Sequence, residues 1–230
     1  SHRAIGPPRR ETHGGDVTEL SQFQHPRFAR MYERISAESE RRGTAEHRRR
    51  ALAELSGRVI EVGAGNGMNF AHYPASVTEV VAVEPEDHLR AVAERSAEEA
   101  PVPVRVVAGH AGALPVEDAS CNAAVLSLVL CSVPDVPQAL AEIGRVLEPG
   151  GQLRFYEHVR STKPWFAALE DALTPLWSRL GGGCHLNRDT AAAIRSAGFD
   201  IESLDRFRYA PLRFSPAQAH ILGVARTPGA

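Results

Sequence analysis

The apolar positions along the chain change period several times, and each change predicts an element. Phe28, Met31, Tyr32 and Ile35 fall at i, i+3, i+4 and i+7, one face of a helix opening near Pro26. A charged segment from Glu46 to Leu55 predicts a second helix leading into the first strand. Arg41, Arg42, Arg48, Arg49 and Arg50 there are interleaved with Glu38, Glu40, Glu46 and Glu54, which favours a solvated helix face over a basic patch. The short run Val59, Ile60 and Val62 reads as a buried strand, and the glycine turn after it leads into an expected helix through Phe70 and Tyr73. Strand 78–83, helix 86–99 and strand 104–108 come after it. From Ala123 to Leu130 the chain is apolar except for Ser127, as in a strand covered on both faces. Asp135 with Gln138 three residues on resembles a capping box, ahead of a helix whose Val136, Leu140, Ile143 and Leu147 face the sheet. Pro149-Gly150-Gly151 is expected to end that helix before a strand over 152–157.

Strands alternating with amphipathic helices predict an α/β fold with a parallel, doubly wound sheet. Beyond Glu157 the rhythm breaks. Residues 164–180 read as a helical stretch carrying Trp165, Phe166, Leu169, Leu173, Leu176 and Trp177, interrupted by Pro175. Gly181-Gly182-Gly183, Cys184-His185-Leu186-Asn187 and a helix near 188–197 come next. Phe199 to Tyr209 and His220 to Arg226 are expected to close the sheet as an antiparallel hairpin with a long connection. Residues 1–20, with Gly6-Pro7-Pro8 and Gly14-Gly15, are expected to be disordered, and Ser1 reads as an expression remnant. Residues 21–230 are expected to form one domain, with 21–55 as a helical lid and 160–190 as an insertion beside the substrate pocket.

At 230 residues, 43% apolar and 23% charged, this is an ordinary globular composition, and a net charge of −2 gives no global electrostatic case for nucleic acid. Three cysteines without CxxC spacing suggest reduced thiols in the cytoplasm and argue against a structural zinc site; no paired acidic motif indicates another metal. No apolar run approaches the ~20 residues of a membrane span, and no secretory leader is evident.

The candidate chemistry lies in Arg58–Gly67. Gly63, Gly65 and Gly67 let the backbone turn sharply and let a ligand approach the main chain. Glu84 ends the next apolar run, placed to accept hydrogen bonds from a ribose diol. A nicotinamide fingerprint would read G-x-G-x-x-G; here the third glycine comes one residue early and Glu61 stands two residues before the first. A carboxylate there is a poor neighbour for a pyrophosphate and suits a ligand with an ammonium or sulfonium, such as S-adenosylmethionine.

Val-Ile-Glu-Val-Gly-Ala-Gly-Asn-Gly, the Glu84 strand end, Gly-His-Ala-Gly-Ala-Leu-Pro and Arg-Val-Leu-Glu-Pro-Gly-Gly together resemble the class I S-adenosylmethionine-dependent methyltransferases. Within them the chain is most similar to the methyltransferase type 11 group of quinone-biosynthesis and small-molecule enzymes. Ser-Leu-Val-Leu-Cys-Ser-Val at 127–133 and Glu-His-Val at 157–159 further resemble alkyl-thiol methyltransferases. The resemblance implies a Rossmann-like, mostly parallel seven-stranded sheet with an N-terminal helical lid. It implies that Gly63, Ala64, Gly65 and Gly67 admit the methionine moiety, and that Glu61 holds its amino group directly or through water. Glu84, with Pro85 beside it, would bridge the ribose hydroxyls. Ala111 would offer its N–H to adenine, Ser127 and Leu128 would line the methionine end, and Tyr32 would close over the carboxylate. His110 departs from the family, which usually has Asp or Glu there to accept from the adenine amino group; a neutral imidazole can accept through one nitrogen. Asn122 replaces a common Asp without expected effect.

The implied reaction moves a methyl group to an O, N or S atom of a small, largely apolar metabolite. An RNA-modifying enzyme, a non-catalytic S-adenosylmethionine-binding protein and a nicotinamide-dependent reductase are the alternatives. Methyl transfer from a sulfonium depends on in-line placement in a dry pocket and needs a base only where the acceptor holds its proton. Candidate bases are His158, His185 and His25; Glu157 is a candidate acceptor contact or a partner for an arginine, and Cys131 reads as a buried inert thiol. Trp165, Phe166 and Trp177 either wall an acceptor pocket or pack a core.

Overall fold

The computed structural model describes residues 20–229 except Phe166, Leu169, Leu173, 175–183, Leu186 and Phe214. The expected disorder of residues 1–19, and the expected places of Phe166, Leu176, Trp177 and the triple glycine, lie outside the described residues.

Two helices, α1 (Pro26–Ser39) and α2 (Ala45–Leu52), precede the sheet and are joined by a wide turn, Glu40–Thr44. The strands are β1 (Gly57–Val62), β2 (Val77–Val83), β3 (Val104–Val107), β4 (Cys121–Ser127), β5 (Leu147–His158), β6 (Asp200–Tyr209) and β7 (Gln218–Arg226). Helices α3 (Asp87–Glu98), α4 (Val136–Val146) and α5 (Thr190–Ser196) connect them, and the described residues of 164–174 are also helical. The strand order is β3-β2-β1-β4-β5-β7-β6, parallel from β3 to β5 and antiparallel where β7 enters between β5 and β6. The direction of winding reverses between β1 and β4, so a crevice opens above their carboxyl ends, where open α/β sheets take ligands. Apolar layers cover both faces: Leu126, Leu140, Ile143, Phe155 and Ile194 on one, Leu52, Phe70, Val80, Ala93 and Val125 on the other. Among the described residues no helix is long and apolar enough to cross a membrane.

Four local expectations are corrected. The glycine turn runs not into a helix but into a single 3-10 turn, Phe70–His72. Gly63, Gly65 and Gly67 all take positive φ, the Asn69 side chain is turned back to Glu61, and Pro74 blocks continuation. Strand β4 stops at Ser127 because Leu128 turns with φ 62. Strand β5 begins at Leu147, not 152; the Pro149-Gly150-Gly151 bend sits inside it, and Leu147 pairs with Cys121 instead of closing helix α4. Met31 is 45% exposed, so the buried stripe of α1 is carried by Ala29 and Ser36, with Tyr32 partly covered.

Gly223 in β7 shows how tightly the sheet is covered: a Cβ there would lie 2.5 Å from the Phe155 ring and 2.5 Å from the Ser203 carbonyl oxygen. Since one obstacle is backbone, Gly223→Ala is expected to destabilise the protein by about 1–3 kcal/mol in chemical denaturation, against no change for the open Gly229→Ala.

Candidate active site

A cavity of about 520 Å³ lies above the carboxyl ends of β1, β2 and β4. Its floor is Gly63 and Gly65, one side is Glu84, Pro85 and Leu89, the far end is His110 and Ala111, and the near end is Ser127 and Leu128. The segment leading through α1 roofs it with Phe23, His25, Phe28 and Tyr32. That roof is fastened to the sheet. Gln24 donates to the Pro85 carbonyl at 2.8 Å and accepts from the Asp87 N–H at 3.1 Å, while Asn66 donates to the Ser36 hydroxyl at 2.9 Å.

The glycines do different jobs. A Cβ at Gly63 would lie 2.7 Å from Val129, and one at Gly65 would lie 3.4 Å from the Tyr32 ring, so side chains would close the gap between loop and roof. Gly67 and Ala64 are not on the wall. Gly67 is needed because a Cβ would strike Phe70 at 2.7 Å, and Ala64 anchors the loop by donating its N–H to the Val83 carbonyl.

Glu84 is 5% exposed; its Oε2 accepts from the Gly65 N–H at 2.7 Å and its Oε1 from the Glu86 N–H at 3.0 Å. Burial pushes its carboxyl up to about 7, opposed by those two amide bonds. Each oxygen retains a second acceptor site, so the carboxylate can still take a diol.

Glu61, expected at the ligand's amino group, is not on the cavity wall. It is 2% exposed and engaged on both oxygens, by Tyr73 Oη at 2.6 Å and Asn69 Nδ2 at 2.9 Å. Burial raises it to about 7 against those bonds and the nearby Arg48. Asn69 in turn accepts from Arg48 Nη1 at 2.8 Å; the same nitrogen donates to Ser127 Oγ at 3.1 Å, and Arg48 Nε donates to Glu40 at 3.1 Å. Arg48 is 5% exposed, so the solvated-face reading of the arginines fails for it. His110 stacks on Phe23 with centroids 5.1 Å apart, and its Nδ1 accepts from the Gly112 N–H at 3.2 Å. That bond occupies Nδ1, so a neutral His110 held this way has Nε2 as its donor nitrogen.

None of His158, Glu157 and His185 lines the cavity. Glu157 and His158 are successive strand residues and so point to opposite faces. Glu157 is fully buried, and its Oε1 accepts from the N–H groups of Val129 at 2.9 Å and Leu130 at 3.0 Å, an anchor for the cavity loop, not an arginine partner. Burial, together with Cys131, raises its carboxyl well above the usual range. His158 faces His220 edge-on at 5.4 Å; among the described residues neither of its ring nitrogens has a partner, and burial lowers it to about 3. His185 donates its backbone N–H to the Cys131 carbonyl at 2.7 Å. Asn122 accepts from the Arg58 N–H at 2.8 Å, a stitch between β1 and β4. Among the described residues no cluster able to hold a metal ion occurs.

A 3-2-1-4-5-7-6 sheet with a glycine-floored cavity and a carboxylate at the second strand end defines the class: a Rossmann-like S-adenosylmethionine-dependent methyltransferase. Solved structures share the fold: a putative methyltransferase from Bacillus halodurans superposes with TM-score 0.67 at 18% identity, covering 80% of this chain and 98% of that one. A possible histamine N-methyltransferase from Thermotoga maritima gives 0.64 at 20% identity, covering 92% and 99%. Residues 60–155 match the family described as "Methyltransferase domain". Thiol S-methyltransferase TMT1B of Rattus norvegicus is 35% identical over 171 residues, 73% of this chain and 69% of that protein. Thiol S-methyltransferase TMT1A of Homo sapiens is 34% identical over 171 residues, with the same coverage of 73% and 69%. The chain belongs to this methyltransferase family.

Because Glu157 anchors backbone through one oxygen and burial favours its neutral form, Glu157→Gln is expected to keep stability within about 1 kcal/mol, whereas Glu157→Ala, which strands two buried N–H groups, is expected to cost about 2–4 kcal/mol. Thermal and urea denaturation of the two variants check this; comparable losses in both would assign the carboxylate a charged role.

Proposed function

We propose that this protein moves the methyl group of S-adenosylmethionine to the sulfur of a small thiol, in the cavity above β1, β2 and β4. The Glu84 carboxylate, held by the Gly65 N–H beside a glycine floor, carries the cofactor half of this reading. The cavity volume suits a nucleoside ligand of drug-like size. Glu84 would accept the ribose hydroxyls, Ala111 would meet the adenine, and Gly63 and Gly65 would admit the amino-acid tail. When bound, S-adenosylmethionine supplies a methyl group on a positively charged sulfur, and transfer neutralises that charge. Phe23, Phe28 and Tyr32 would exclude water and hold acceptor and methyl in line.

The thiol half is supported by the relatives, which are named thiol S-methyltransferases, and by the protonation chemistry around the site. An imidazole held near 3, as His158 is, cannot keep a proton taken from a thiol. A thiol titrates near ~8.5 and is a few per cent thiolate at neutral pH without help. Alcohols would need a strong base.

A panel of alkyl thiols, phenols, amines, alcohols and RNA, offered with labelled methyl donor and read by mass, tests the acceptor. Methylation is expected on thiols, with kcat/KM rising with pH until the pKa of each thiol and with that inflection moving as the thiol is changed. Turnover on RNA or amines alone refutes the thiol assignment.

Glu84 gives a second test. With its carboxyl near 7 in the free protein, ionisation favours diol binding, so S-adenosylhomocysteine affinity is expected to rise about tenfold from pH 6 to 8. Glu84→Gln is expected to flatten that dependence and to weaken binding at pH 8 by about tenfold or more in calorimetry. An unchanged affinity in the variant would remove Glu84 from the ribose site.

A further inference from the structure

Two of the three cysteines meet beside the cavity, although they stand far apart in the chain. Cys131 follows β4 and is buried; Cys184 precedes α5 and is half-buried. The His185 N–H donates to the Cys131 carbonyl at 2.7 Å. The peptide joining Cys184 to His185 therefore lies directly on Cys131. Each bonded atom sits about 2.4 Å from the Cα beside it, which caps the distance between the two Cα atoms at about 7.5 Å. The bends at nitrogen and oxygen bring it into the roughly 4.4–6.8 Å that a disulfide spans. The side chains close the remaining gap, since the two thiols hydrogen-bond each other.

The contact belongs to a wider strap. Arg188 Nη1 donates to the Leu130 carbonyl and to the Val133 carbonyl, the latter at 2.7 Å, and the Arg188 carbonyl accepts from the Arg160 N–H at 3.1 Å. Val129, Ser132 and Val133 on the strapped loop line the cavity; Cys131 does not. The two thiols are not equivalent. Hydrogen bonding to Cys184, reinforced by burial, pushes the Cys131 thiol well above its usual range. Cys131 thus keeps its proton and offers it to the Cys184 sulfur, and the Arg188 guanidinium is close enough to bear on both. That donor and that charge favour a thiolate at Cys184, which is also the more exposed of the pair.

We propose that Cys131 and Cys184 form a reversible dithiol–disulfide site, with hydrogen peroxide as the oxidant, whose disulfide clamps this wall of the cavity. The Cys184 thiolate attacks one peroxide oxygen; the O–O bond breaks, the other oxygen leaves and takes up a proton as water, and Cys184 becomes a sulfenic acid. The Cys131 sulfur then attacks the Cys184 sulfur. The S–O bond breaks, and the departing hydroxide takes the Cys131 proton as a second water. Two thiols are oxidised, one peroxide is reduced, and a dithiol reductant reverses the step. The site stands apart from the cofactor reading, since it needs only the protein's own sulfurs.

Brief treatment with hydrogen peroxide tests it, followed by alkylation in denaturant, digestion without reductant and mass spectrometry. The unaltered protein is expected to lose two of its three free thiols, to yield peptides joined through Cys131 and Cys184, and to regain both thiols in dithiothreitol. Cys121, at the opposite end of β4, is expected to remain free to alkylate. The melting temperature is expected to rise by about 5 °C or more on oxidation. Cys184→Ser is expected to lose both the cross-link and the rise. Three free thiols after treatment, a Cys184 sulfinic acid without a cross-link, or a disulfide between two copies overturns the site. A cross-link that leaves the melting temperature unchanged overturns the clamp. Should Cys184→Ser fail to fold, the peptide map and melting temperature of the unaltered protein decide by themselves.

Discussion

A charged guanidinium almost wholly out of water is the constraint that shapes the upper face of the sheet. Arg48 is tolerable only if acceptors surround it, and the chain supplies them from three directions: Glu40 from the turn between the lid helices, Asn69 from the glycine loop and Ser127 from the end of β4. Each of those partners is committed onward. Asn69 and Tyr73 hold Glu61, and Glu40 also meets His72 at 2.9 Å. Removing the arginine would take the nearby positive charge from buried Glu61 and leave Glu40 and Asn69 without their donor. The lid is thus an electrostatic part of the sheet, since the loop that floors the cavity and the helices that roof it share one polar network.

That network bears on which ligand the cavity favours. The upstream carboxylate of the glycine motif suggests direct repulsion of a pyrophosphate, but Glu61 is walled off and its two oxygens are occupied. The segment after the glycines is a three-residue turn with too few aligned peptides to build the positive helix end that holds a pyrophosphate in dinucleotide folds. The carboxylate that stands beside the glycine floor is Glu84, on the cavity wall. The class drawn from the motif stands, while the electrostatic reason moves by one strand.

Much of this was legible in the chain. Strand ends and glycine turns are local, so Gly63, Gly65, Glu84, Pro85, Ala111, Ser127 and Leu128 could be placed on the cavity from spacing and resemblance, and all of them line it. The parallel, doubly wound sheet and its antiparallel closing hairpin came from the alternation of elements and its break after Glu157. What escaped was long-range or directional. Arg48 looks like its four neighbours in sequence, and only its 5% exposure separates it from them. Phe23 and Gln24 reach partners at His110 and Pro85, far along the chain, with no periodic signal. The three-residue spacing of Phe70 and Tyr73 imitates a helix, whereas Tyr73 is there to reach back to Glu61.

Glu157 and His158 show a limit of a different kind. The rule that ligands sit at strand carboxyl ends selects the correct edge of the sheet but is silent on which face a residue takes, and consecutive strand positions take opposite faces. Glu157 went to the face of α4 and became a backbone anchor; His158 went to the face of α2 and meets His220 edge-on, beside the stacked Tyr156, Phe207 and His220 rings. Burial shifts both toward their neutral forms, raising the Glu157 carboxyl and lowering His158 to about 3, and neither side chain reaches the cavity. A methyl donor that is itself a cation needs little more than alignment and dryness, so a fold can commit its most buried titratable groups to holding the loop. That arrangement suits acceptors that shed their proton without help from Glu157 or His158, and a thiol is among the few neutral nucleophiles that do so near pH 7.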